Sequence, residues 1–190
     1  ENVPETPPAE LALQRPEGPA RLYVGGSLSR ARGIEQALQA ARRADVRIVS
    51  AGWPYDEPAE RFVADPAVEF HGIVTARRSL ELAGSCDAVL AYYAPTSVNN
   101  LYASPNKLYD ALSVGRPVIV NREIRPARWV ERHAAGWTCG YDDVDTLERI
   151  LASLAAGRRD LPAFAARARD LFLAGPTWEK MARRLDELYQ

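Results

Sequence analysis

The chain has 190 residues, of which 47% are hydrophobic and 26% are charged, a composition that suits one folded domain and not a disordered chain. Its 24 basic and 25 acidic residues leave a formal net charge of −1, which argues against nucleic acid or an anionic membrane as the main partner. No apolar run reaches the roughly 20 residues that span a membrane, and no signal-peptide pattern opens the sequence, so we expect a cytoplasmic location. The two cysteines and two histidines are isolated from one another, which argues against a disulfide framework or a zinc site.

The first 20 residues are rich in proline and lack hydrophobic periodicity, a pattern typical of a linker or arm. We therefore divide the chain into a linker over residues 1–20 and a folded domain over residues 21–190. Because the sequence begins with glutamate and not methionine, we expect it to be a piece of a longer protein.

Beyond the linker, short apolar runs alternate with stretches of helical periodicity. The strands are predicted at residues 21–25, 46–52, 67–72, 87–93, 117–121 and 137–141. The helices are predicted at residues 33–43, 75–85, 104–114, 126–135, 144–154, 162–173 and 178–189. This alternation predicts an α/β domain, a Rossmann-like parallel sheet of about six strands with helices on both faces. Such sheets bind ligands at the carboxyl ends of their strands.

The helix predicted at residues 104–114 carries the most informative side chains. Ser104 is a suitable N-cap and Pro105 suits the first helical position. Lys107 then lies in the first turn, where the helix dipole disfavours a cation unless an anion binds there too. A diphosphate would satisfy both, and Asp110, on the same side, could accept hydrogen bonds from ribose hydroxyls. The alternative is that Lys107 and Asp110 form a solvated surface pair, and the local pattern favours neither.

A second candidate segment, residues 24–33, lies between the first predicted strand and its helix. Its paired glycines, Gly25 and Gly26, would let the backbone approach a ligand closely. Arg32 stands just before the helix and could bind a phosphate through its planar guanidinium. The segment is not a GxGxxG dinucleotide fingerprint, and the alternative is a tight turn with solvated arginines.

Together these segments resemble the C-terminal domain of the group 1 retaining glycosyltransferases, one half of the two-domain GT-B fold. Residues 104–119 are similar to the family pattern SPxKLxEAxAxGxPVI, with Asp110 in place of Glu and Ser113 at the second small position. Weaker family patterns are matched in the same order at residues 24–33, 68–74, 86–95 and 178–189. Residues 1–5 resemble the family's interdomain linker.

The resemblance implies a site that binds a nucleotide-sugar donor. It implies that Arg32 and Lys107 hold the diphosphate and act in catalysis, that Asp110 holds the ribose, and that backbone near Gly72 meets the base. The substrate-binding residues that it implies are Gly26, Ser27, Gly72, Ile73, Tyr102, Ser104, Asn106 and Asp110.

Two positions depart from the family pattern. The family often has Glu where this chain has Tyr102, and often has Arg where it has Ser27. Tyr102, Asn99 or Asn100 would then contact the donor sugar instead. These departures bear on the donor and on activity more than on the fold.

The function implied is transfer of a sugar from a nucleotide-diphosphate sugar to an acceptor with retention, in bacterial polysaccharide or glycoconjugate biosynthesis. We expect no metal and no cofactor, no nucleophile from this chain, and an N-terminal acceptor-binding domain as partner, through which any membrane contact at the inner face would be made. The isolated piece should bind donor with little or no turnover. The alternatives are a non-catalytic nucleotide-sugar-binding module, a sugar-nucleotide epimerase on the same fold, and a doubly wound domain that binds no nucleotide.

Overall fold

The computed structural model describes residues 6–7, 18–157, 160–175 and 177–189. Its strands are β1 (Arg21–Leu28), β2 (Arg47–Pro54), β3 (Val68–Phe70), β4 (Ala88–Ala91), β5 (Val118–Asn121) and β6 (Gly136–Cys139). A 3-10 turn at Arg30–Arg32 follows β1. The helices are α1 (Ile34–Arg43), α2 (Glu57–Val63), α3 (Ala76–Gly84), α4 (Val98–Leu101), α5 (Asn106–Ser113), α6 (Ala127–Arg132), α7 (Val144–Gly157), α8 (Leu161–Ala174) and α9 (Trp178–Tyr189).

The six strands form one sheet in the order β3-β2-β1-β4-β5-β6. Every pairing is parallel, which confirms the predicted fold class. The chain order reverses between β1 and β4, and such a switch point leaves a crevice beside the carboxyl ends of the two strands.

Helices cover both faces of the sheet, because successive strand side chains point in opposite directions. In β1, Leu22 and Val24 join one apolar core, which also receives side chains of α1 and α7. Tyr23 points to the other core, which is built with side chains of α3, α5 and α8. The sheet is therefore buried on both sides, and only its edges and its strand ends are open to ligands.

The prediction that the first strand ends at Gly25 is wrong by three residues. β1 continues to Leu28 because it pairs with β2 over its full length, so Gly26 and Ser27 belong to the strand and not to a loop. Gly52 stands opposite Gly26 with a φ of +144°, and a Cβ on Gly52 would lie 1.9 Å from the Gly26 carbonyl oxygen. Trp53, which the sequence pattern places in a loop, is likewise part of β2.

The start of α5 also differs from the prediction. Pro105, not Ser104, is the N-cap residue, because its ψ of 121° is extended and helical geometry begins at Asn106. The Ser104 hydroxyl instead lies 3.5 Å from that of Tyr109. The prediction that Lys107 lies in the first turn is confirmed.

Two short helices, α2 and α4, are missing from the prediction. Each is capped by a polar side chain: Asp56 accepts a hydrogen bond from the Ala59 amide and Ser97 from the Asn100 amide. With four residues, α4 is too short for a hydrophobic period to emerge, and α2 buries only Ala59 and Phe62. Thr75, the first residue of the helix predicted at residues 75–85, is the N-cap of α3, since its hydroxyl accepts a hydrogen bond from the Arg78 amide.

Of the predicted linker, residues 1–5 and 8–17 lie outside the described residues. Thr6 donates hydrogen bonds from its amide and its hydroxyl to Glu179 at the start of α9. The Pro7 carbonyl accepts one from Arg169 of α8. Among the described helices none has the length and apolar character needed to cross a bilayer.

Candidate functional site

A cavity of about 250 Å³ lies at the carboxyl ends of β1 and β4, at the switch point of the sheet. Its walls come from the end of β1, from Trp53 of β2, from Tyr92 and Tyr93 after β4, from Arg32 of the 3-10 turn, and from the first turn of α5. The sheet order therefore brings together side chains that are far apart in the sequence.

Lys107 reaches this cavity from α5, and its aliphatic chain lies beside Gly26. A Cβ on Gly26 would lie 3.7 Å from the Lys107 Cε atom, and the φ of Gly26 is +100°. The ammonium donates to Asp110 at 2.6 Å, with the two side chains only 19% and 15% exposed. Burial disfavours the charge on Lys107, but Asp110, helped by Tyr23, outweighs it and raises the lysine pKa above its ordinary value. The pair is thus a largely buried ion pair and not a solvated surface pair.

Arg32 supplies the second cation of the cavity. Its guanidinium stacks on the ring of Tyr93, 3.7 Å from the ring centroid, a geometry that fixes its plane. Its Nη1 atom is buried and has no hydrogen-bond partner among the described residues. A buried donor without a partner costs about 1–3 kcal/mol, and an anionic oxygen in the cavity would remove that cost.

The N-terminus of α5 points its backbone toward the same cavity. No side chain caps this helix, so the first-turn N–H groups carry the partial positive charge of the helix dipole without a side-chain acceptor. Asn106 and Lys107 of this turn line the cavity. Two cations and an uncapped helix N-terminus together form a site suited to a phosphate group.

The structure brings together most of the sequence-predicted site residues. Gly26, Ser27, Arg32, Asn106 and Lys107 all line the cavity. Asp110 does not line it but forms an ion pair with Lys107.

Four predicted residues lie elsewhere. Tyr102 and Ser104 line a separate cavity between α5, α6 and α8. Gly72 and Ile73 follow β3, two strands away from β1 on the same edge of the sheet, where the Gly72 carbonyl accepts a hydrogen bond from the Gly52 amide. Ile73 is largely exposed.

Two aromatic residues of the cavity were missed as site residues by the sequence reasoning. Trp53 is 49% exposed at the end of β2, opposite Ser27 of β1. Tyr93, the last residue of the strand predicted at residues 87–93, stacks against the Arg32 guanidinium. A large aromatic directly after a glycine at a strand end was the available signal for Trp53.

Residues 30–187 match the model of a family described as glycosyl transferase-like. That span takes in most of the folded domain and every residue with a predicted role except Gly25, Gly26 and Ser27. The chain belongs to the glycosyl transferase-like family. No curated protein matches the sequence directly.

Three solved structures show the fold of this glycosyl transferase-like domain. Sucrose-phosphate synthase from Thermosynechococcus elongatus matches with a TM-score of 0.68 and 19% identity over 97% of this chain and 49% of its own. HepE from Anabaena, in complex with UDP-glucose, matches with a TM-score of 0.69 and 14% identity over 90% of this chain and 48% of its own. The C-terminal domain of a group 1 glycosyl transferase, LpcC from Francisella tularensis, matches with a TM-score of 0.65 and 14% identity over 93% of this chain and 96% of its own.

The chain spans about half the length of sucrose-phosphate synthase and of HepE, but nearly all of the LpcC C-terminal domain. The resemblance to the C-terminal half of a GT-B enzyme is therefore confirmed at the level of family and fold. Within the described part of the chain, no three His, Cys, Asp or Glu side chains come together as metal ligands.

Proposed function

We propose that this chain is the donor-binding half of a retaining glycosyltransferase and binds the diphosphate of a nucleotide-sugar between Arg32 and Lys107. The observation that carries the proposal is the buried Nη1 of Arg32, which has no partner among the described residues and lines the same cavity as Lys107. The family match and the UDP-glucose bound to HepE support it.

In the proposed reaction, the bond between the anomeric carbon and the diphosphate oxygen breaks and the acceptor oxygen bonds to that carbon. Negative charge grows on the departing diphosphate, where Arg32, Lys107 and the N-terminus of α5 are already positioned to stabilise it. The acceptor proton passes to the diphosphate, so no nucleophile is needed from this chain. Because these side chains would neutralise the charge on the leaving group, we propose that no metal or cofactor is required.

The rest of the proposal concerns the whole protein. The cavity, at about 250 Å³, suits a diphosphate but is smaller than the roughly 300–1,000 Å³ of most ligand pockets. An N-terminal half would complete the site and bind the acceptor, in a cytoplasmic enzyme of polysaccharide or glycoconjugate synthesis.

Calorimetric titration with UDP, GDP and inorganic pyrophosphate tests the donor site. Lys107→Ala should weaken the binding of the preferred nucleotide, UDP or GDP, by about 10- to 100-fold, as expected for loss of a hydrogen bond to a charged group. It should weaken the binding of pyrophosphate by about the same factor. Asp110→Ala should weaken the nucleotide but not pyrophosphate, because only the nucleotide carries a ribose. Arg61→Ala, which removes an exposed cation of α2 paired with Glu57, is the control. Equal affinity of Lys107→Ala and the parent chain for both nucleotides would contradict the proposal.

A non-catalytic nucleotide-sugar-binding module is the second candidate, and Tyr102 favours it. The family often has Glu at this position, and here the tyrosine lines a different cavity from Lys107. Donor binding is expected in both cases, so the test is sugar transfer by the whole protein. If the whole protein bound the donor but neither transferred the sugar nor hydrolysed the donor, the result would support a non-catalytic binding module.

A further inference from the structure

A second basic surface lies after β5, separate from the donor cavity. An open groove of about 690 Å³ is lined by four arginines from the β5–α6 connection and from α6. All four side chains are exposed. We call this surface the arginine groove, defined by Arg122, Arg125, Arg128 and Arg132.

None of these four arginines has an ion-pair partner among the described residues. By contrast, several other surface arginines are paired with acids, among them Arg42 with Asp65, Arg43 with Asp145, and Arg61 with Glu57. A concentration of unpaired cations on a chain with a net charge of −1 is unfavourable through mutual repulsion, unless an anion binds there.

The two acids of the same segment are bound to other groups. Glu123 lines the groove but accepts hydrogen bonds from the Asn121 amide group at 2.9 Å and from the Tyr141 backbone N–H at 3.1 Å. Glu131 of α6 accepts one from the Thr138 hydroxyl. The groove therefore holds four cations against one carboxylate that is already hydrogen-bonded.

An apolar cavity of about 530 Å³ adjoins the arginine groove. The two share Tyr102, Arg125 and Trp129 in their walls. Apolar side chains of α5 and α8 form the floor of this cavity: Leu108, Leu112, Leu171 and Phe172. A ligand that fills both would have a negatively charged end and an apolar end.

Two exposed apolar side chains lie one helical turn apart at α4. Tyr102, the C-cap residue, lines the groove and is 66% exposed, and Val98, whose carbonyl accepts a hydrogen bond from the Tyr102 amide, is 73% exposed. The Arg125 amide donates to the Leu101 carbonyl at 2.8 Å, which holds the end of α4 against the arginine loop. Exposed apolar and aromatic side chains next to clustered arginines are typical of surfaces that meet an anionic bilayer, where arginine chains extend toward the phosphates.

We propose that the arginine groove binds the headgroup of an anionic phospholipid in a bilayer, with the adjoining apolar cavity receiving part of an acyl chain. The lipid phosphate binds Arg125 and the other arginines of the groove, while Val98 and Tyr102 insert into the membrane–water interface. This would give the described half a membrane contact of its own, where the sequence alone assigns such contact to the missing half. The proposal does not depend on the donor site.

Flotation of the 190-residue chain with lipid vesicles tests the proposal. Binding is expected to vesicles of phosphatidylcholine with 30% phosphatidylglycerol and not to pure phosphatidylcholine, and to weaken as salt rises. Each arginine near an anionic surface contributes on the order of fivefold to binding, so Arg125→Gln with Arg128→Gln should lower it by roughly 25-fold. Val98→Ser should lower it several-fold without changing its salt dependence.

The matched control is Arg42→Gln with Arg43→Gln, which removes the same charge from paired arginines of α1 and should leave vesicle binding unchanged. Equal loss in both double variants would reduce the effect to net charge and overturn the proposal. So would equal binding to both kinds of vesicle, or no binding to either. If soluble glycerol phosphate bound the groove as tightly as the vesicles do, the occupant would be a free phosphate compound and not a bilayer, which would overturn the proposal. UDP titration of the groove variant should match the parent chain.

Discussion

At the scale of single residues, the donor cavity holds two cations in different states. Lys107 is neutralised by Asp110 at 2.6 Å, whereas Arg32 stacks on Tyr93 and leaves a buried nitrogen without a partner among the described residues. A diphosphate would therefore gain most from Arg32, and would compete with Asp110 for Lys107. In the proposed donor complex, Asp110 turns to the ribose hydroxyls as Lys107 turns to the phosphate.

Trp53 allows a prediction that separates base from phosphate. Its half-exposed ring lies at the mouth of the cavity beside Ser27, where it can stack on a nucleobase or cover the donor sugar. Stacking of a base on an aromatic side chain contributes about 1–3 kcal/mol. Trp53→Ala should therefore weaken the binding of UDP or GDP by roughly 5- to 100-fold. It should leave the binding of inorganic pyrophosphate unchanged, as measured by calorimetry.

Trp178→Ala is a suitable control for that experiment, because Trp178 is 48% exposed, close to the 49% of Trp53, and lies on α9 outside the cavity. If the Trp53 variant bound nucleotide as tightly as the parent chain, the Trp53 ring would not be part of the donor site. A variant that loses pyrophosphate as well would show a disturbed cavity and not a lost stack.

At the scale of elements, the contact between β1 and β2 depends on Gly52. A Cβ there would lie 1.9 Å from the Gly26 carbonyl oxygen, at a φ of +144°. Gly72 also has positive φ, at +67°, but nothing lies within 4 Å of the position that its Cβ would take. Gly52→Ala should thus lower the free energy of unfolding by roughly 3 kcal/mol or more, and Gly72→Ala by about 1–2 kcal/mol, in urea titrations. Similar values for both would show that β2 shifts to accept the methyl group.

The same strand pair shows how far the sequence predicts the elements. All six described strands and seven of the nine described helices could be predicted, because apolar periodicity is set by burial on a two-faced sheet. The end of β1 could not, since Gly26 and Ser27 have the composition of a turn and are held in the strand only by pairing with β2. Strand pairing is a long-range property, and a local pattern does not contain it.

The candidate site follows the same division. Arg32 and Lys107 could be predicted, because each is an unusual cation beside a helix start. The sequence does not decide whether Lys107 and Asp110 are solvated or buried, since their burial depends on strands far away in the sequence. The different cavity of Tyr102 could not be predicted, because it depends on how α5, α6 and α8 pack together.

The contact between Thr6 and α9 gives a pH dependence at the scale of elements. The Thr6 backbone N–H and the amide of Glu179 itself, together with the Thr6 hydroxyl, lower the pKa of Glu179 from its ordinary 4.5 to about 2. A depressed carboxyl pKa stabilises the fold above the ordinary value, and this stabilisation is lost as pH falls through the folded-state pKa. Because Glu179 is exposed, we expect less than about 1 kcal/mol.

Unfolding free energies of the parent chain and of Glu179→Gln, measured from pH 7 to pH 2, test this expectation. The parent should be the more stable at pH 6, and the difference should shrink between about pH 4.5 and pH 2. Glu187→Gln, an exposed carboxylate farther along α9, is the control and should show no such convergence. A constant difference across this range would mean that Thr6 does not depend on the charge of Glu179.

At the scale of the whole molecule, one sheet joins two separate apolar cores. The donor cavity lies at the switch point between β1 and β4, and the arginine groove follows the neighbouring strand β5. Both surfaces thus depend on the central strands, which belong to both cores. Any opening of one core on its own would disturb the sheet and with it both sites, so we expect the two cores to unfold together.

The two buried thiols can test that expectation, because one lies in each core. Cys139 belongs to the core of α1 and α7, and Cys86 to the core of α3, α5 and α8. Both are free and fully buried. Burial raises the pKa of Cys86 to about 12 and also raises that of Cys139, so neither is a reactive thiolate in the folded protein.

Labelling by a thiol reagent should then require unfolding. In Cys86→Ala and Cys139→Ala, the remaining thiol should be labelled at the rate set by that variant's own unfolding free energy, with the same urea dependence, as read by mass spectrometry. A thiol that is labelled more than tenfold faster than this rate, with a weaker urea dependence, would show that its core opens independently of the sheet.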